Sequence, residues 1–162
     1  FLGTIGFTKT EIAEVVKLFG VAATLAGGFL GGILLVSVGM MRGLFICGVL
    51  MAASNLLFVV QALVGRDLGM LAVTIAVENI TTGMGTAAFV AYLSSLYNVA
   101  YTATQYALLT SLMAFSRTAM SSGAGWLADR MDWVSFFIVS TLAAIPGLIL
   151  LAWMIRRWPP KE

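Results

Sequence analysis

Two ionisable residues stand where a bilayer would least accept them. Glu78 interrupts the apolar run AVTIAVENITTGMGTAAFVAYL, residues 72–93, and Arg117 interrupts the next one, ATQYALLTSLMAFSR. A charge at mid-membrane costs about 2.5–3.5 kcal/mol on insertion scales, so helix packing alone does not select it. A carboxyl in such a layer is suited to taking up and releasing a proton during transport. A guanidinium there is suited to gripping a carboxylate of a cargo. Glu78 is ten positions from Leu68 and Arg117 ten from Leu127, each roughly 15 Å deep at about 1.5 Å per residue. If the two runs are antiparallel neighbours, the pair meets at one depth. The alternative role for it is a buried structural salt bridge.

The surrounding polar residues are patterned. At about 100° per residue, Thr74, Glu78, Thr81, Thr82, Gly85, Phe89 and Tyr92 fall on one stripe. Tyr106, Thr110, Met113, Arg117 and Ser121 fall on another. Stripes that run the depth of a bilayer predict the wall of a water-accessible cavity. Glu78 is therefore the candidate proton-coupling acid, with Arg117, Asn79, Thr82, Tyr92, Thr110 and Ser121 as candidate substrate-binding residues. Taken singly, each threonine can instead bond the carbonyl one turn back.

The elements that must position these residues follow from composition. The chain has 162 residues, 60% hydrophobic and 10% charged, and its mean hydropathy is +1.01. That is a membrane protein, and lipid is its first partner. One cysteine, Cys47, and no histidine exclude a disulfide framework, a zinc site and any Ser-His or Cys-His nucleophile pair. An enzyme is not expected, nor is a cofactor. A net charge of +2, scattered along the chain, gives no basis for nucleic-acid binding. An intramembrane protease would need paired aspartates or a Ser-His pair within the spans, and Asp129 and Asp132 share a turn.

Five segments are long enough to span: 11–36, 43–64, 68–97, 104–127 and 134–155. Short connections make neighbours antiparallel. Thr8 and Glu11 have the spacing of a capping box. The opening FLGTIGFTKTEIAE lacks an initiator Met, a basic n-region and a small-residue cleavage site, so residues 1–5 read as the end of a truncated helix rather than a signal peptide. Sliding the chain by 93 residues lays GGILLVSVGMMRGLFI, 31–46, on AGWLADRMDWVSFFIV, 124–139. The register implies a unit of three helices used twice. An odd number of crossings inverts the second copy, the architecture of many secondary transporters. The second and fifth segments lack polar stripes and read as outer, lipid-facing supports, although Asn55 and Gln61 must find helix partners.

Smaller signals concern packing. Gly27 with Gly31 and Gly28 with Gly32 form two overlapping small-xxx-small pairs. Pro146 and Gly147 can kink the last segment. Trp126 and Trp133 at one interface, with Tyr97, Tyr101 and Trp153 near the other, match aromatic belts. Glu11, Glu14 and Lys17 either rim a pathway or snorkel toward headgroups. Arg42, Arg156, Arg157 and Lys161 share one side, and the cluster MIRRWPPKE favours a cytoplasmic C-terminus.

From residue 75 to 152 the chain resembles the AmpG family of muropeptide permeases within the major facilitator superfamily. The motifs that carry the likeness are GMGTAAFVA, ATQYALL and IPGLILL. The turn VGMMRGL looks like an eroded form of the superfamily's Gly-x-Leu-x-x-Asp loop, with Val36 where the acid would be. The resemblance implies an all-α integral membrane protein, the C-terminal six-helix half of a twelve-helix transporter, paired with an N-terminal half. It implies import of N-acetylglucosaminyl-1,6-anhydro-N-acetylmuramyl peptides across the bacterial inner membrane, driven by protons and linked to β-lactamase induction. Glu78, in VEN, and Arg117, in FSR, occupy family-like positions. Another bulky anion such as acetyl-CoA, or a non-transporting scaffold on the same fold, are the competing functions.

Overall fold

A computed structural model describes residues 1–95 and 102–157, with the side chains of Leu18, Thr102, Ala103 and Arg117 outside the description. Tyr97, Tyr101 and Lys161 also lie outside it. The described chain is helical throughout, without strands: α1 (Lys9–Val15), a π-helical turn (Val16–Gly20), α2 (Val21–Val38), α3 (Met40–Val64), α4 (Leu68–Ser95), α5 (Thr102–Ala128) and α6 (Trp133–Arg157). Residues 1–5 form a single turn, closed by the Ile5 N–H donating to the Phe1 carbonyl at 3.3 Å.

Local chemistry sets the helix ends. The Thr8 hydroxyl accepts the Glu11 N–H at 3.2 Å, and the Glu11 carboxylate accepts the Thr8 N–H at 2.8 Å, a complete capping box. Gly39 at φ 87° and Gly65 at φ 78° supply the left-handed turns on either side of α3, where a Cβ would be strained. Asp67 receives the Met70 N–H at 2.8 Å and starts α4. Asp132 receives the Ser135 N–H and hydroxyl at 3.0 and 2.8 Å and starts α6, and these bonds hold its carboxyl below the usual range.

Four helices, α2, α3, α4 and α6, are long and apolar enough to cross a membrane, and the chain is a multi-pass membrane protein. α5 has 27 residues, enough to cross, but its hydroxyls, Gln105 and Arg117 make it less apolar than the other four. The first expected span is a continuous helical run with a π turn inside it. The extra backbone residue of the π turn separates amphipathic α1 from apolar α2.

α4 is the centre of the bundle. α2 runs parallel to it at backbone contact: a Cβ at Gly27 would land on the Ile80 carbonyl, one at Gly83 on the Thr24 carbonyl, and one at Gly31 within 2.8 Å of Met84 Cα. Of the two glycine pairs, Gly27 and Gly31 make this contact. Gly28 and Gly32 have nothing within 4 Å. On the other side of α4 lies α3, antiparallel to it, and α3 in turn packs on α6. The expectation that α3 is an outer support is therefore corrected. It is sandwiched between α4 and α6, with Ser54 and Gln61 buried. A lone Ser and a lone Gln in an apolar run make no stripe, so the pattern hid that face. The aromatic group Phe1, Phe58, Trp133 and Phe137 joins the first turn to the end of α3 and the start of α6, with centroids 5.0–6.1 Å apart.

The helix boundaries carry the 93-residue register. α3 starts at Met40 and α6 at Trp133, 93 apart. The corresponding helices α3 and α6 pack antiparallel, as an inverted repeat requires, with Phe58 stacked on Phe137 at one end and Arg42 sharing a cavity with Arg156 at the other.

Adding a methyl at Gly27 or Gly83 must push α2 off α4. Gly27→Ala and Gly83→Ala are each expected to destabilise the protein by about 1–3 kcal/mol. Gly28→Ala and Gly32→Ala, facing open space, are expected to be neutral or to stabilise by up to about 1 kcal/mol through helix propensity. Thermal unfolding in detergent separates the two pairs, and equal losses at all four positions would refute the assignment.

Before the first span, Arg66 Nη2 pairs with Glu11 Oε1 at 2.8 Å and ties α1 to the α3–α4 turn. The Thr8 N–H first, then Arg66, depress the Glu11 carboxyl from 4.5 to about 2. The sign follows: this contribution is fully present above pH 4.5 and is lost as pH falls toward 2. Arg66→Ala is expected to shrink that acid-side loss of thermal stability while leaving its onset below pH 4.5, and an unchanged acid profile would count against the latch.

Candidate functional site

Glu78 is solvated by hydroxyls. The Ser54 hydroxyl, on α3 and 3% exposed, lies 2.6 Å from Glu78 Oε2 and 2.8 Å from the Met51 carbonyl. Thr82, one turn along α4, donates to Glu78 Oε1 at 3.4 Å. A hydroxyl has one hydrogen, so Ser54 fills both of its contacts at once when Glu78 carries a proton and donates it to Ser54 Oγ. When Glu78 is ionised, the Ser54 hydrogen turns to the carboxylate, and the length suits a charge-assisted bond. The site accommodates either form with one hydroxyl rotation.

The neighbouring Asn79 faces the other way. Its Nδ2 donates to the Ile75 carbonyl at 2.7 Å, and its Oδ1 accepts the Thr24 hydroxyl of α2 at 3.1 Å. Thr24 also lies 2.8 Å from the Gly20 carbonyl, at the end of the π turn, where the helical hydrogen-bond ladder is offset. Two adjacent residues of α4 thus reach two different helices: Glu78 to α3 and Asn79 to α2.

The expected Glu78–Arg117 pairing looked to α5. The described part of the carboxylate's environment lies instead on α3 and on α4 itself, and the Arg117 side chain is outside the described residues. α5 touches α4 and α6 only sparsely. The only ion pair among the described residues is that of Arg66 with Glu11.

The α4 stripe divides in two. Thr74 and Thr81 are 0% and 6% exposed, inside the helix seams rather than on an open wall, a correction to the stripe reading. Angular position fixes a common face but not whether that face meets water or another helix. Farther along, Gly85, Phe89 and Tyr92 do line a cavity of about 520 Å³, with Cys47 and Met51 of α3, Met113 of α5 and Gly147 of α6. Its walls are mostly apolar. Ser121 lines a separate space of about 500 Å³ between α5 and α6. Thr110 donates to the Tyr106 carbonyl at 2.7 Å, the back-bond open to any helical threonine. Glu78 and Thr82 therefore sit together, Asn79 beside them on the α2 side, Tyr92 about a cavity away, and Thr110 and Ser121 apart on α5.

Sequence reasoning missed Ser54 and Thr24. Ser54 is recoverable from antiparallel register, since helices joined by a turn near Gly65 bring it level with Glu78. Thr24 has no periodic signal beyond its place in the glycine-rich stretch that packs on α4.

No protein-family model matches the chain. Individual proteins do. It is 40% identical to the anhydromuropeptide permease of Escherichia coli K12 over 147 residues, 91% of this chain and 30% of that protein. It is 37% identical to AmpG 4 of Rickettsia felis over 153 residues, 94% of this chain and 37% of the relative. With AmpG 1 of Rickettsia prowazekii it shares 35% identity over 151 residues, 93% and 34% of the two lengths. The chain spans about a third of the length of these curated relatives and matches their C-terminal part. By this likeness across nine-tenths of its residues, it belongs with the AmpG-type permeases, as a C-terminal segment of their fold.

Proposed function

We propose that the chain forms the C-terminal half of a proton-coupled importer of anhydro-muropeptides. It works in the bacterial inner membrane with its C-terminus in the cytoplasm, and through peptidoglycan recycling it feeds the signal for β-lactamase induction. Glu78 carries the coupling proton. Arg117 grips a carboxylate of the peptide, and Asn79, Thr82, Tyr92, Thr110 and Ser121 bond the sugar-peptide along its path. The N-terminal half supplies the opposite wall, and the two halves rock around a midplane site.

The observation that carries this reading is the setting of Glu78. An acid in the middle of an apolar helix is bonded to Ser54 and Thr82, groups that suit its charged and neutral forms alike. A purely structural acid at that depth is served best by a fixed cation, whereas a titrating one needs partners that can reverse direction. The identity to the Escherichia coli permease supports the substrate class. The orientation rests on Arg42, Arg156 and Arg157 at one end of the bundle.

In the complete permease reconstituted in vesicles, Glu78→Gln is expected to abolish proton-driven uptake of anhydro-muropeptide, at least a hundredfold, because an amide cannot titrate. Arg117→Lys is expected to keep membrane insertion and lose uptake, since lysine retains charge but not the planar fork. Wild-type uptake with a normal pH dependence in Glu78→Gln would remove the acid from the mechanism.

A further inference from the structure

Two polar atoms in the described bundle are buried without a hydrogen-bond partner: Gln61 Oε1 on α3 and Thr74 Oγ1 on α4. Both residues are 0% exposed. Leaving a buried acceptor or hydroxyl unpaired is destabilising, so each calls for an explanation. Their placement gives one. Ser54 of α3 meets Glu78 of α4, and Met51 meets Gly85, so the antiparallel register brings Gln61 level with the stretch around Thr74. Gln61 is two turns from Ser54 on one face of α3, and Thr74 is one turn from Glu78 on one face of α4.

By register, the four residues fall at two levels of the α3–α4 seam. The Ser54–Glu78 rung lies at mid-span. The Gln61–Thr74 rung lies nearer the turn, where Gln61 Nε2 donates to the Gly65 carbonyl at 2.8 Å and approaches that of Asp67 at 3.5 Å. We propose that this seam is the proton route to Glu78, and that the Gln61–Thr74 rung is a water-binding site within it. The inference rests on the proposed proton-coupling role of Glu78. With the proposed orientation, the α3–α4 turn faces outward, the side from which a proton-driven importer draws its protons.

The chemistry balances. A water held by Gln61 Oε1 and Thr74 Oγ1 accepts a proton from the turn and releases another. The Thr74 hydroxyl likewise takes one and gives one. The Glu78 carboxylate, about 5–6 Å away at i, i+4 spacing and so within reach of one further water, ends as a carboxylic acid. Its proton then points to Ser54 Oγ, whose own hydrogen swings to the Met51 carbonyl. Among the described residues, the charged groups near this path are Asp67 and the Arg66–Glu11 pair at the mouth. At the level of Glu78, α2 contributes neutral Thr24.

The test uses the complete permease in vesicles, with anhydro-muropeptide as substrate. Three quantities are read: proton-driven uptake, substrate exchange without a proton gradient, and thermal stability. The double variant Gln61→Leu with Thr74→Val is expected to lose at least tenfold in proton-driven uptake and stay within twofold in exchange. It should melt at or above the wild-type temperature, because apolar isosteres replace unsatisfied groups. Thr74→Ser, which keeps the hydroxyl, is expected to retain proton-driven uptake. Wild-type proton-driven uptake in the double variant, with uptake lost in Glu78→Gln, overturns the route alone. Loss of exchange in step with uptake also overturns it, since the rung would then serve the substrate or the fold. Wild-type uptake in Glu78→Gln instead overturns the role of the acid on which the route depends.

Discussion

A carboxyl in the middle of an apolar helix has to be solvated by the protein, because the bilayer offers it nothing. That requirement organises the rest of the bundle. α4 satisfies it by placing Glu78 against Ser54 of α3, and this works only if α3 is a central helix rather than a lipid-facing one. Asn79 makes the same demand one residue later, about 100° around the helix, and is met by Thr24 of α2. Consecutive polar residues thus pull different neighbours onto α4. The glycine contacts of Gly27, Gly31 and Gly83 let α2 approach closely enough for a hydroxyl as short as threonine's to reach Asn79.

Hydrogen bonds of this kind are individually modest in membranes, about 0.6 kcal/mol on average in double-mutant cycles. Their value here is directional. Hydroxyls reverse donor and acceptor roles at little cost. Beside the single Thr24–Asn79 bond, α2 and α4 are held by close backbone packing. Dispersion between close helices does not depend on protonation, so the scaffold stays fixed while the hydroxyls turn.

Helix existence and the need of Glu78 for polar partners were legible in the sequence because hydropathy and an out-of-place acid are local signals. The 93-residue register coincides with the starts of α3 and α6. Three things were not legible. The π turn at Val16–Gly20 is a backbone choice favoured by Thr24 and Asn79, which lie far apart in sequence. The burial of Thr74 and Thr81 depends on which neighbour covers their stripe, and periodicity gives an angle without a partner. Ser54 was hidden by its ordinariness, since a single serine in an apolar helix can bond its own backbone, as it also does here.

The repeat also accounts for the contrast between α2 and α5. In the 93-residue register Gly27 and Gly31 correspond to Met120 and Ala124, and Thr24 corresponds to Arg117. α5 therefore carries bulk where α2 carries glycine, and it cannot copy the close approach that α2 makes to α4. Symmetry assigns it a different neighbour as well. The α2–α4 contact joins the second helix of one unit to the first helix of the other. By the repeat, its mate joins α5 to the first helix of the first unit. Among the described residues, α5 has no buried side chain and keeps Leu108, Leu112, Phe115 and Met120 exposed.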